Sequence, residues 1–223
     1  LNLSPERLAE GLTYYVVLLF SLSFHESAHA WMASRIGDDT ARDQGRVSLN
    51  PIVHIDPIGT VLMPLLQIFG PAGIPLLAWA KPTPVVAANF RPGLFRRGQV
   101  LVAGSGPLSN FALALLFALG LALAARLGAG AGGPGAPLLY VLNVGVILNV
   151  ALGVFNLVPV PPLDGSWVAS FGLPQAMGDA YDRIVRPYGP WLLLILVATG
   201  ALGRVIWPLI SLLREALVRL ALA

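Results

Sequence analysis

The sequence predicts an all-α polytopic membrane protein, with about four transmembrane helices, a re-entrant or surface hairpin and a short β-strand or edge element. Composition is the first sign. Hydrophobic residues make up 56% of the chain and charged ones only 11%, with a mean hydropathy of +0.75, whereas a soluble domain carries about 25% charged residues. The second is the recurrence of apolar stretches at 5–36, 98–126, 138–157 and 189–203, close to the ~20 residues that cross a roughly 30 Å hydrocarbon core. The third is a proline pair, Pro82 and Pro84, which confines its segment to an edge strand or a loop.

Ser4-Pro5 starts the first helix, serine as N-cap and proline at the first helical position. The helix should run to about Ile36 and stop at Gly37. At 1.5 Å per residue it outruns the bilayer core, so it tilts or protrudes. Residues 37–56 are polar and turn-rich and read as a loop. Asp56-Pro57 opens an apolar segment over 57–70, broken by Pro64 and ended by Gly70-Pro71. The extended stretch Trp79–Phe90 comes next, then a long span over 98–126 with Gly106, Pro107 and Asn110 near its start. A Gly, Ala and Pro linker (128–137) leads to the span 138–157, which carries Asn143 and Asn149. Residues 174–188 are polar, 189–203 should cross the membrane, and 206–223, with Arg214, Glu215 and Arg219, reads as an interfacial amphipathic helix.

Charge and cysteine content narrow the function classes. A net charge of +3 and a pI near 9.7 do not indicate nucleic acid, because the basic residues are scattered singly through loops, as membrane orientation requires. Cysteine is absent, which excludes a disulfide framework and thiolate ligands. The first apolar stretch is not a cleavable signal: Glu6 and Glu10 precede it with only Arg7, where a signal would be basic.

The stretch Phe24-His25-Glu26-Ser27-Ala28-His29 carries the chemistry. Two imidazoles four residues apart project from one helix face and can share a metal ion. H-E-x-x-H is the zinc metalloprotease signature, with the glutamate as general base. Ionisable residues inside an apolar span are functional candidates, and this motif uses two of the three histidines.

A catalytic zinc takes three protein ligands and keeps one position open. Of the remaining carboxylates, only Asp56 and Asp164 are framed by apolar residues. Asp56 has a simpler role as a helix cap. Asp164 follows a proline-stiffened turn leaving a span and precedes Gly165, which permits close backbone approach. Asp164 is the preferred third ligand, with Asp56 and His54 as alternatives. His54 reads equally well as a turn histidine.

His25-Glu26-Ser27-Ala28-His29, together with Asn156-Leu-Val-Pro159-Val-Pro-Pro-Leu163-Asp164-Gly165, resembles the site-2 protease family of intramembrane zinc metalloproteases. Gly106-Pro107-Leu108-Ser109-Asn110 resembles that family's middle core helix. The resemblance covers about residues 10–170 in order, with no PDZ or CBS stretch, and is closest to a minimal bacterial branch. It implies one zinc ion on His25, His29 and Asp164, water activation by Glu26 and an oxyanion or carbonyl contact from Asn156. His54, Asn110, Lys81, Thr83 and Val85 are candidates for substrate contact.

The expected architecture is a single membrane-embedded metalloprotease domain over 1–223, its catalytic core at about 5–170 and a span plus amphipathic helix at 189–223. For Asp164 to meet the histidines, helices 5–36 and 138–157 must run parallel, with one span between them, so 57–79 cannot cross the membrane. Loops 35–50, 81–97 and 166–188 then share a side and hold nine basic residues, against Arg7 and Arg126 opposite. The positive-inside rule makes that side cytoplasmic in a bacterial inner membrane. The expected substrate is a single-pass transmembrane protein, and the expected surroundings are the lipid bilayer, with no nucleic acid. A membrane metal transporter or a catalytically silent scaffold of the same fold are the alternatives; neither needs Glu26.

Overall fold

The computed structural model describes residues 4–69, 78–130 and 132–222. Helix α1 (Pro5–Arg35) begins where Ser4 Oγ accepts the Arg7 N–H, with Glu6 in the first turn opposite the helix dipole. Its buried face runs through Val17, Leu18, Ser21, Leu22, His25, His29 and Ala33. That spacing of three and four places both histidines on the inner side. At about 46 Å by helical rise, α1 is longer than the hydrocarbon core.

A short helix α2 (Thr40–Asp43) and a tight turn at Pro51–His54 follow. Asp56 then caps a wide helical turn, Pro57–Leu62, its carboxylate accepting the N–H groups of Ile58 and Gly59. The turn runs on into α3 (Met63–Phe69). The outward limb of the expected hairpin at 57–79 is therefore helical, while 70–77 lie outside the described residues.

Residues 78–86 run extended but pair with no strand among the described residues, so the expected β-strand is a lone extended segment. Pro82 and Pro84 remove the N–H groups a ladder would need. Four of the remaining donors turn to other partners: Trp79 N–H to Gly59 O, Lys81 N–H to His54 O, Thr83 N–H to Glu26 and Val86 N–H to Asp38.

Helices α4 (Phe95–Arg126) and α5 (Ala136–Asn156) complete the core. Along α1, His29, His25 and Ser21 meet Val102, Gly106 and Asn110 of α4 in turn, so the two helices are antiparallel. Gly145, Asn149 and Gly153 of α5 meet Phe117, Asn110 and Phe111 of α4, so α5 is antiparallel to α4 and parallel to α1. The expected parity holds. The α4–α5 seam is built from small residues: Ala114, Ala118 and Ala122 pack with Val146, Val150 and Val154. Such side chains let helix backbones approach where lipid supplies no hydrophobic driving force.

After α5, a proline-rich turn leads to α6 (Gly165–Gly172) and α7 (Gln175–Ile184). Arg186 clamps these together, pairing with Asp182 at 2.5 Å and lying 3.6 Å from the Trp167 ring centroid. The C-terminal region departs from expectation. The span anticipated at 189–203 is a ten-residue helix, α8 (Gly189–Ala198), about 15 Å long and too short to cross. It meets α9 (Ala201–Leu222) at a bend of 78°. The expected interfacial helix is thus a long α9 whose Ile210 and Ala221 are buried in the α4–α5 core. Among the described residues three helices, α1, α4 and α5, are long and apolar enough to cross a membrane, or four if the bent α8–α9 pair counts as one span. The chain is a multi-pass membrane protein.

Candidate metal centre and active site

Packing α4 across α1 settles which nitrogen each histidine presents. His25 Nδ1 lies 2.7 Å from Asn110 Oδ1, and His29 Nδ1 lies 2.7 Å from the Val102 carbonyl. Both partners are acceptors, so each Nδ1 carries its proton and each Nε2 presents a lone pair. Those two Nε2 atoms are 3.0 Å apart. Asp164 Oδ2 lies 3.2 Å from the first and 3.4 Å from the second. This oxygen is buried and has no hydrogen-bond partner among the described residues.

Three lone-pair atoms therefore converge with no donor between them. A single proton could relieve one pair of them; a cation relieves all three. Ligands about 2.0–2.1 Å from a tetrahedral zinc lie about 3.3 Å from one another, and the observed separations of 3.0–3.4 Å bracket that value. The His₂Asp set fits a divalent metal. It is the one group of three such ligands among the described residues.

Two glycines make the convergence possible. A Cβ on Gly106 would sit 2.5 Å from His29 Nε2 and 2.6 Å from His25 Nε2, where the ligand atoms gather. A Cβ on Gly165 would collide with the Leu157 carbonyl, so only glycine lets α6 start close enough to α5 to deliver Asp164.

The ligands and Glu26 border a cavity of about 530 Å³, with Thr83, Gln99, Asn156 and Trp167 also on its wall. Glu26 Oε2 accepts from the Thr83 N–H at 2.9 Å and from its hydroxyl at 2.7 Å. Asn156 reaches the cavity while one amide hydrogen goes to the Leu152 carbonyl at 3.0 Å; its second amide hydrogen serves no protein acceptor among the described residues.

Of the residues anticipated to touch substrate, Thr83 and Val85 line the cavity, and Thr83 holds Glu26 besides. The other three do not line it. Lys81 is exposed, its N–H drawn back to the His54 carbonyl. His54 is 2% exposed and bridges Ser48 O and Ser27 Oγ, which makes it a loop anchor. Asn110 is wholly buried behind His25. Asp56, the alternative third ligand, is the helix cap described above. Sequence reasoning did not single out Asn149 or the carbonyl of Val102 for any role at the centre. For Asn149 a signal existed: buried polar residues in apolar spans seek partners.

Comparison with known proteins agrees with this geometry. The protein named "Putative zinc metalloprotease YwhC" of Bacillus subtilis is 35% identical over 213 residues, covering 92% of this chain and 89% of its own length. The chain belongs to peptidase family M50. The model of that family matches residues 134–197, which include Asn156 and Asp164. Two further M50-like relatives are each named "Putative zinc metalloprotease Rip2". That of Mycolicibacterium smegmatis is 31% identical over 83% of this chain and 66% of its own length. That of Mycobacterium tuberculosis is 34% identical over 66% and 52%. No solved structure matches the chain.

Proposed function

We propose that this M50 protein is an intramembrane zinc endopeptidase. It hydrolyses a peptide bond within or near the transmembrane segment of a membrane-protein substrate. The observation that carries the reading is the donor-free convergence of His25 Nε2, His29 Nε2 and Asp164 Oδ2 in a cavity that Glu26 also lines.

Zinc held by these three atoms would supply Lewis acidity, drawing the pKa of a water from 15.7 towards about 7. Glu26 takes the proton of the attacking water as general base and returns it to the leaving amine. Thr83 donates twice to Oε2, so Oε1, with no protein donor among the described residues, is the oxygen available to that water. Asn156 offers its second amide hydrogen to the developing oxyanion, a contact worth roughly 3–4 kcal/mol in other hydrolases.

A transmembrane helix must unwind locally before its carbonyls can be attacked. The segment 78–86 forms part of the cavity wall and is suited to receive the unwound backbone by edge pairing. Its N–H groups at Trp79, Lys81, Thr83 and Val86 are committed and Pro82 and Pro84 have none. Its carbonyls, together with the N–H groups of Ala80 and Val85, which have no acceptor among the described residues, are left to pair with the incoming chain. The excess of basic residues in the loops at this end of the bundle supports a cytoplasmic orientation in a bacterial membrane, with a single-pass protein as the proposed substrate.

Glu26→Gln tests the reading. Turnover should fall by about 10²–10⁴ while zinc content is retained, and uncut single-pass proteins should accumulate in membranes carrying the variant. A Glu26→Gln protein that cleaves like wild type overturns the proposal.

A further inference from the structure

Behind His25 lies a chain of buried polar side chains that never reaches the cavity. Asn110 Nδ2 donates to Asn149 Oδ1 at 3.0 Å. Asn149 Nδ2 donates to Ser21 Oγ and to the Gly145 carbonyl, each at 2.9 Å. Ser21 Oγ donates to the Val17 carbonyl at 2.8 Å. Asn110, Asn149 and Ser21 are all 0% exposed.

The direction of this chain is not free. Carbonyl oxygens only accept. The Val17 carbonyl takes the Ser21 hydroxyl proton, so Ser21 Oγ must accept from Asn149. The Gly145 carbonyl takes the other amide hydrogen of Asn149. Both demands put the Asn149 nitrogen on one side and turn its oxygen towards Asn110. Asn110 must then offer nitrogen to Asn149 and oxygen to His25. A flipped Asn110 would set NH₂ against His25 Nδ1 and favour the tautomer with its proton on Nε2, which cannot bind a metal.

We infer that Asn149 is a positioning residue that sets the tautomer of His25 through Asn110, two hydrogen bonds from the ligand ring. The two histidines differ here. The His29 proton is fixed by a backbone carbonyl, Val102, that no substitution removes, whereas that of His25 depends on the Asn110 side chain, which Asn149 orients at 3.0 Å and the Ser21 carbonyl supports at a longer 3.4 Å. The relay thereby makes correct docking of α4, α5 and α1 a condition for a metal-competent His25. This inference rests on reading the site as a zinc centre.

The test uses the full chain in detergent with ¹⁵N-labelled histidine, read after chelation and again during titration with zinc alone. Only three histidines contribute, and His29 is the internal reference. In wild type both His25 and His29 should carry the proton on Nδ1. Asn149→Leu keeps the volume and removes the relay. His25 should then show a mixture with the Nε2-protonated form, His29 should not change, and zinc affinity should fall about 10–100-fold. Asn149→Asp still turns an acceptor oxygen towards Asn110 Nδ2 and should keep the wild-type tautomer, whereas a purely steric role predicts no change in the volume-conserving Leu variant either. His25 unchanged in Asn149→Leu, or lost from the Nδ1-protonated form in Asn149→Asp, overturns the inference. Should Asn149→Leu fail to fold, Asn149→Ala, which also lacks the oxygen facing Asn110, takes its place and is read by the same two outcomes. A wild type that binds no zinc removes the zinc reading; one that binds it beside an Asn149→Leu chain of equal affinity removes only the relay.

Discussion

The absence of a side chain at residue 106 matters as much to this centre as the presence of any ligand. A methyl group there would occupy the space in which both Nε2 atoms present their lone pairs. Gly106→Ala should therefore force α4 or the imidazoles apart. Zinc affinity should drop by about 100-fold or more, by analogy with the largest outer-shell effects, while the helical circular dichroism stays that of wild type. Equilibrium competition against a chelating dye measures this. At this scale the grouping of His25, His29 and Asp164 was legible because a four-residue spacing and a carboxylate in an apolar frame are local patterns. The need for glycine at 106 was not, because it depends on which face of α4 meets α1. The same missing information misassigned Asn110: the sequence marks it as a polar residue in a span but does not say that it turns towards His25 and away from the cavity.

Among the elements, the extended segment 78–86 owes its course to carboxylates. Asp38 is 0% exposed and accepts from the Val86 N–H at 2.7 Å and the Asn89 amide at 2.9 Å. Burial pushes the Asp38 carboxyl up, but the donors on Thr40, Asn89 and Val86 outweigh it and hold the group below its usual 3.8. A lowered folded value means that the tether contributes fully above pH 3.8 and drains away as pH falls through the lowered value. Asp38→Ala leaves four donors, the Thr40 N–H and hydroxyl, the Val86 N–H and the Asn89 amide, without that acceptor, at about 1–3 kcal/mol for each that stays buried. It should lower the unfolding midpoint in detergent at neutral pH, by a margin that shrinks on acidification. Cleavage should weaken too, because Thr83 lies on the tethered segment, while zinc content is unchanged. Two prolines made the extended conformation legible in the sequence. That four of its N–H groups would be taken up singly, by two carbonyls and two carboxylates, was not, since those partners lie 20 to 57 residues away in the chain. The α8–α9 bend also escaped a hydropathy reading, which does not register a break at Thr199-Gly200 inside an apolar run.

In the whole molecule, the parity of the spans ties the chemistry to one side of the bilayer. With α1 and α5 parallel and α4 between them, the loop after α1, the segment before α4 and the turn after α5 share one end of the bundle. A topology reporter inserted between Arg91 and Phe95 should report the cytoplasm; one in the linker 128–134 should report the opposite side. The reverse result would move the active site to the outer face. The parallel course of α1 and α5 was legible in the sequence, because a shared ligand set admits only one parity. The packing that realises it, a seam of alanines and glycines between α4 and α5, shows in the sequence only as general apolarity.

The three ligand atoms come from two chain segments separated by well over a hundred residues, and the Asp164 oxygen has no other companion. An ion held there acts as a rivet between the first helix and the start of α6. Prolonged exposure to a strong chelator should do more than silence turnover: it should lower the melting temperature and open the stretch around Asp164 to amide exchange before the α4–α5 seam loosens.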